Sequence, residues 1–111
     1  MADIEKLFKE FYVYEFDDNG RMIGFNEGAY EKADEAFAIF QMMYDTRYGS
    51  INIDDNLVDI HTGGWSDNEE LISVFKKTAW WSMYHRVTAT GGHYYFNTGS
   101  VKERSWKVVK Q

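Results

Sequence analysis

The 111-residue chain has no cysteine and no proline. Without cysteine there can be no disulfide, no thiolate zinc site and no cysteine nucleophile, which fits a reducing compartment. Without proline, turns must rely on Gly, Asn and Asp, and no Pro-rich linker divides the chain. No apolar run approaches the roughly 18 residues of a membrane span. The opening MADIEKLFKE has neither the basic nor the apolar segment of a secretory signal. Basic residues are scarce early on: residues 1–70 hold 5 against 17 acids, whereas residues 71–111 hold 7 against 1. The net charge of -6 therefore hides an acidic front and a basic end. These absences lead us to expect a cytoplasmic protein with no membrane segment and no direct nucleic-acid binding.

What is abundant is aromatic. Eight Phe, eight Tyr and four Trp make up 18% of the residues, within a hydrophobic fraction of 44%. That apolar area can offset chain entropy without crosslinks or metals, so residues 1–111 are expected to form one domain.

Hydrophobic periodicity sets the expected elements. Asp3 to Lys9 reads as one or two helical turns with Asp3 as N-cap. The stretch FYVYEFDDNGRMIGF alternates around Asn19-Gly20, predicting strands near 10–17 and 21–25 joined by a type I′ turn. From Asn26 to about Tyr48, Ala29, Ala33, Ala36, Phe37, Phe40 and Tyr44 fall on one helical stripe, with Asn26 as cap and Gly49 as terminator. INIDDNLVDIHT is rich in strand formers, with a bend or bulge at Asp54-Asp55-Asn56 and a strand at 57–61. Ser66-Asp67-Asn68-Glu69 matches a capping box, and Leu71, Ile72, Phe75, Ala79 and Met83 predict a helix that Gly91-Gly92 terminates. A second stripe of Val74, Thr78, Trp81 and His85 predicts that this helix is covered on more than one side. HYYFN followed by SWKVV reads as a closing hairpin. The expected fold is α+β: two principal helices on a mostly antiparallel sheet, in the order α-ββ-α-β-α-ββ.

Two segments carry candidate chemistry. HTGGWSDNE and TGGHYYF each pair Gly-Gly with a histidine and an aromatic. Glycine lets a ligand approach the backbone closely, and a helix start favours an anion. Asp67, Glu69 and Glu70 in that first turn already satisfy the dipole, however, and neither nucleotide-binding glycine pattern is present. A tight turn plus a capping box is therefore a complete alternative. If the strands ending at His61 and beginning at His93 are neighbours, the two imidazoles converge. Together with Thr62, Gly63, Gly64, Trp65, Glu69 and Tyr94 they would form a small-ligand site for a nucleotide or another anion. Two histidines fall short of any metal motif, and no nucleophile is indicated, so neither metal nor cofactor nor catalytic residue is assigned.

Surface chemistry offers a different reading. Trp80 and Trp81 project about 100° apart on a helix, so one ring is free to serve a protein interface or a homodimer, unless a second layer buries both. Asp17, Asp18, Glu27, Glu31, Asp34, Glu35, Asp54, Asp55 and Asp59 could imitate a phosphate backbone and occupy the basic groove of a nucleic-acid-binding protein. They would serve equally to keep an aromatic-rich domain in solution.

HTGGWSDNEELI, KKTAWW and GGHYYF, spanning residues 61–96, together resemble a family of small bacteriophage and prophage proteins of uncharacterised activity. The resemblance covers about a third of the chain and implies no catalytic residue and no cofactor. It implies a setting: phage accessory proteins often bind host machinery, and some inhibit defence systems, including CRISPR effectors. The leading expectation is a phage accessory protein that binds such a host protein in the bacterial cytoplasm. The alternative is a small-ligand module, or a modest enzyme, built on the two glycine loops.

Overall fold

The computed structural model describes residues 2–64 and 66–99. In chain order these form α1 (Ala2–Phe8), a 3-10 turn (Lys9–Phe11), β1 (Tyr14–Phe16), β2 (Met22–Phe25), α2 (Gly28–Glu31) and α3 (Ala33–Met43). There follow β3 (Ser50–Asp54), β4 (Leu57–His61), α4 (Ser66–Phe75), α5 (Ala79–Tyr84), β5 (His85–Ala89) and β6 (His93–Asn97). The fold is α+β. β1 and β2 make a separate hairpin, while the other four strands form an antiparallel sheet in the order β3-β4-β6-β5.

The core lies between that sheet and the helices. Strand alternation sends Val58, Ile60, Tyr94 and Phe96 inward, where they meet Phe40 and Tyr44 of the α3 stripe and Leu71, Ile72 and Phe75 of α4. The expected stripe over Ala29, Ala33, Ala36, Phe40 and Tyr44 is buried, and Phe37, partly buried, stacks on Trp80 at 4.3 Å.

Several local expectations are corrected. The first strand is shorter, because residues 9–11 coil into the 3-10 turn and Tyr12 makes only an isolated bridge to Thr78. The β1–β2 turn is not type I′ on Asn19-Gly20. The Asp17 carbonyl accepts from Gly20 N, and Asp17 Oδ1 accepts from Asn19 N and Arg21 N, so the turn is centred on Asp18-Asn19 with Gly20 at φ 81 closing it. Asn26 caps no helix. Its side-chain amide donates to the carbonyls of Glu10 and Tyr12 and pins β2 to the N-terminal segment. The helix that follows is interrupted at Lys32 and ends at Met43, short of Gly49. Asp3 lies inside α1, which starts at Ala2. Two expectations in the next segment hold: the strand at 57–61 is β4, and of the bend or bulge at Asp54-Asp55-Asn56 the bend forms, with Asp54 paired to Leu57 across Asp55, at φ 56, and Asn56, so that INID and LVDIH make one hairpin.

The largest correction concerns the second principal helix. It stops at Phe75, turns through 76–78 and restarts as α5, where the Thr78 hydroxyl donates to the Phe75 carbonyl at 2.7 Å and accepts from Trp81 N at 3.4 Å. After Tyr84 the chain becomes β5, in keeping with its β-branched Val87 and Thr88. Gly91-Gly92 therefore lies in a β5–β6 turn rather than ending a helix. HYYFN is β6, but its hairpin partner is the preceding strand; SWKVV lies outside the described residues.

Candidate functional site

β4 and β6 are adjacent, and their register places His61 directly opposite His93. The two imidazoles stack with centroids 4.0 Å apart and planes 5° from parallel. The Tyr95 ring continues the stack beyond His93 at 6.0 Å and 4°. Residues opposite one another and two apart along a strand share a sheet face. The face turned away from the helices therefore carries Leu57, Asp59 and His61 from β4 and His93, Tyr95 and Asn97 from β6. β3 adds Ser50, Asn52 and Asp54, and β5 adds Val87 and Ala89.

Asp59 supplies the nearest carboxylate. Its Oδ1 lies 3.7 Å from His93 Nδ1, too far for a hydrogen bond. Both atoms are buried without a hydrogen-bond partner among the described residues, although the two side chains remain about a third exposed. A recessed donor–acceptor pair with a gap between its members is thus set beside two stacked rings. Among the described residues, no group of three or more His, Cys, Asp or Glu is placed to hold a metal ion.

The rest of the expected site turns inward. Thr62 is fully buried, its N–H donates to the Gly92 carbonyl at 3.0 Å, and its hydroxyl donates to Glu69 Oε1 at 3.0 Å. The Tyr94 hydroxyl also bonds Glu69; burial first, then the Glu69 charge, raises the Tyr94 pKa. Glu69 thus joins the two glycine loops, and its carboxylate is engaged by Thr62 and Tyr94 rather than left open to a ligand. Tyr44 donates from its hydroxyl to the His61 carbonyl at 2.7 Å. Its pKa is raised chiefly by burial, with the charges of Glu69, Tyr94 and Asp59 adding to it. Asn68, also buried, holds both the N–H and the carbonyl of Asp45 against the start of α4.

The glycines have steric work here. Gly92 sits at φ 80, and a methyl on it would collide with Thr62 Oγ1; one on Gly63, at φ 66, would collide with the Tyr48 carbonyl. Gly64, at φ 74, faces open space. Of the eight candidate ligand residues, His61 and His93 share the outer face, Thr62, Glu69 and Tyr94 form the internal network, and Gly63 and Gly64 shape the exposed turn. Trp65 lies outside the described residues.

The expected docking surface is rearranged. Trp80 is 1% exposed and Trp81 8%, so both rings belong to the core and neither serves a surface. The intervening layer is β6, whose Phe96 ring lies 4.9 Å from each. The acidic candidates separate: Glu31, Asp34 and Glu35 are exposed on the helical layer, Asp17 and Asp18 sit at the β1–β2 turn, and Asp54, Asp55 and Asp59 belong to the β3–β4 hairpin. Sequence reasoning overlooked Tyr95 and Leu57 as companions of the histidines. Period-two counting from His61 and His93 finds both.

Comparison with protein-family models, with curated proteins and with solved structures finds no match to this chain. No helix among the described residues is long and apolar enough to cross a membrane.

Proposed function

We propose that this protein acts by binding rather than by catalysis, and that the outer face of the four-stranded sheet receives a basic protein partner. The observation that carries this reading is the composition of that face. Among the described residues that the strand register assigns to it, that face bears Asp54 and Asp59 and no lysine or arginine. Leu57, Val87 and Tyr95 are 58%, 53% and 38% exposed upon it, an apolar strip with Asp54 opposite Leu57 and Asp59 opposite Tyr95, of the kind that anchors interfaces. On the resemblance of residues 61–96 to small phage proteins, the partner is a bacterial host protein. A nucleic-acid-handling defence complex such as a CRISPR effector would offer the basic groove that an acidic sheet face complements. Capture from bacterial lysate tests this with the wild type and an Asp54→Lys/Asp59→Lys variant, at low and high salt. The expected partner is held by the wild type at low salt and released by either salt or charge reversal. A partner indifferent to both would remove the sheet face from the reading.

A second reading is favoured by Asp59 Oδ1 and His93 Nδ1, which have no hydrogen-bond partner among the described residues. A small polar ligand bridging them, resting on the His61–His93 stack, would satisfy both at once. A thermal-shift screen with nucleotides, cyclic nucleotides and divalent metals tests it, since a ligand that binds only the folded state raises the melting temperature. The shift should vanish in His93→Ala.

A further inference from the structure

A second recess lies between α1 and the β1–β2 hairpin, formed by residues other than those of the sheet face. It is a groove of ≈ 730 Å³, within the range of small-molecule sites. Its lining is divided by charge. The N-terminal segment and the α4–α5 turn contribute Lys6, Lys9 and Lys77, with Glu5 the one acid among them. The hairpin contributes Glu15, Asp17 and Asp18 together with Tyr14, Phe16 and Ile23. Asp17 Oδ1 is engaged by the turn's own backbone, which leaves Glu15 and Asp18 as the carboxylates that the hairpin offers to a ligand, with Glu5 on the opposite wall.

Three features point to an occupant. Tyr14, Phe16 and Ile23 are 48%, 41% and 63% exposed, a concentration of apolar surface that a solvated hairpin of this size does not need. Tyr12, at 7% exposure, also lines the groove, and its hydroxyl is buried with no hydrogen-bond partner among the described residues. Lys77 Nζ lies 5.6 Å from the centroid of the Tyr12 ring, so a donor cation and an unused phenol stand together. Burial and the nearby Glu5 raise the Tyr12 pKa to about 12, which keeps the phenol a hydrogen-bond donor.

We propose that this groove binds a zwitterionic aromatic ligand of amino-acid to dipeptide size. Its carboxylate faces Lys77 and the Tyr12 hydroxyl, its ammonium faces Glu15 and Asp18, and its ring rests on Tyr14 and Phe16. A singly charged ligand would leave one set of charges unopposed, and a neutral one would oppose neither.

Isothermal titration of the full chain with L-tryptophan, glycyl-L-tryptophan, tryptamine and indole-3-propionate tests the assignment. One of the two zwitterions should bind at least about tenfold more tightly than both half-charged analogues, as one charge-assisted contact implies. The stronger zwitterion tells a free amino acid from a peptide. Tyr12→Phe should weaken that binding about fivefold while raising the melting temperature of the free protein, because the orphaned hydroxyl is gone. Lys77→Gln should weaken it without that rise. Asp54→Lys/Asp59→Lys, on the sheet face, should change nothing here. The proposal is overturned if either half-charged probe binds as tightly as the zwitterions, if no probe binds at millimolar concentration, or if Tyr12→Phe and Lys77→Gln both bind as the parent does.

Discussion

Thr62 and Glu69 are joined by a 3.0 Å hydrogen bond between Thr62 Oγ1 and Glu69 Oε1, and the space beside that hydroxyl is open only because residue 92 has no side chain. The bond links the turn after β4 to the first turn of α4, while Tyr94, hydrogen-bonded to the same carboxylate, brings in β6. One carboxylate thus fastens three elements. The consequence is a division of labour along neighbouring residues: Thr62 and Tyr94 point into the fastening, while His61 and His93 alternate to the opposite face and stack there.

Glycine substitutions should separate backbone strain from steric collision. Gly64→Ala places a side chain at φ 74 with nothing within reach and should cost about 1–2 kcal/mol. Gly92→Ala adds the collision with Thr62 to a similar φ and should cost about 2–4 kcal/mol. Urea denaturation of both variants checks the order; equal losses would mean that Thr62 yields freely.

The fold class was legible in the sequence because burial in α3 and in β4 follows plain periods of 3.6 and two, from Ala33 to Tyr44 and from Leu57 to His61. The meeting of His61 with His93 was legible as a condition, since it required only that β4 and β6 be neighbours. The break at Lys76–Thr78 was not. Val74, Thr78, Trp81 and His85 keep helical spacing straight through it, and the turn is decided by the Thr78 cap and the Tyr12 bridge, a contact from the far end of the chain. The fate of Trp80 and Trp81 was hidden for the same reason. A helix covered on one side exposes one of two adjacent residues, whereas α5 is covered by Phe37 of α3 and by Phe96 of β6 and buries both.

Alkaline pH should unfold the protein through its tyrosines. Tyr12, Tyr30, Tyr44, Tyr84 and Tyr94 all have pKa values raised above 10.0, with burial the leading cause, Tyr12 to about 12. Below the unfolded value, near pH 10, both states hold the proton and the full stability is present. As pH rises toward the folded values, the unfolded chain ionises first and stability is lost. The melting temperature should therefore stay level from about pH 7 to 9 and fall above about pH 10. Tyr94→Phe should flatten that fall, and a level curve through pH 11 would contradict the assignment.

The Thr78 cap should matter more than its lone hydroxyl suggests. Thr78→Ala removes the acceptor for Trp81 N and the donor to the Phe75 carbonyl in a fully buried position. The expected loss is about 1–2 kcal/mol, most of it recovered by Thr78→Ser. If Ala and Ser behave alike, the α4–α5 turn is held by the Tyr12 bridge instead.

Core and surface aromatics should part company in the same assay. Trp80, at 1% exposure, lies nearly parallel to Phe37 at 4.3 Å and also contacts Phe75 and Tyr84, so Trp80→Ala should cost about 3–5 kcal/mol. Leu57 is 58% exposed on the outer face, and Leu57→Ala should cost less than about 0.5 kcal/mol. Loss of a captured partner in Leu57→Ala, at unchanged stability, would then report the sheet face itself. Loss in Trp80→Ala would report only unfolding. The pair therefore discriminates a docking defect from a folding defect, which Trp80→Ala alone could not do.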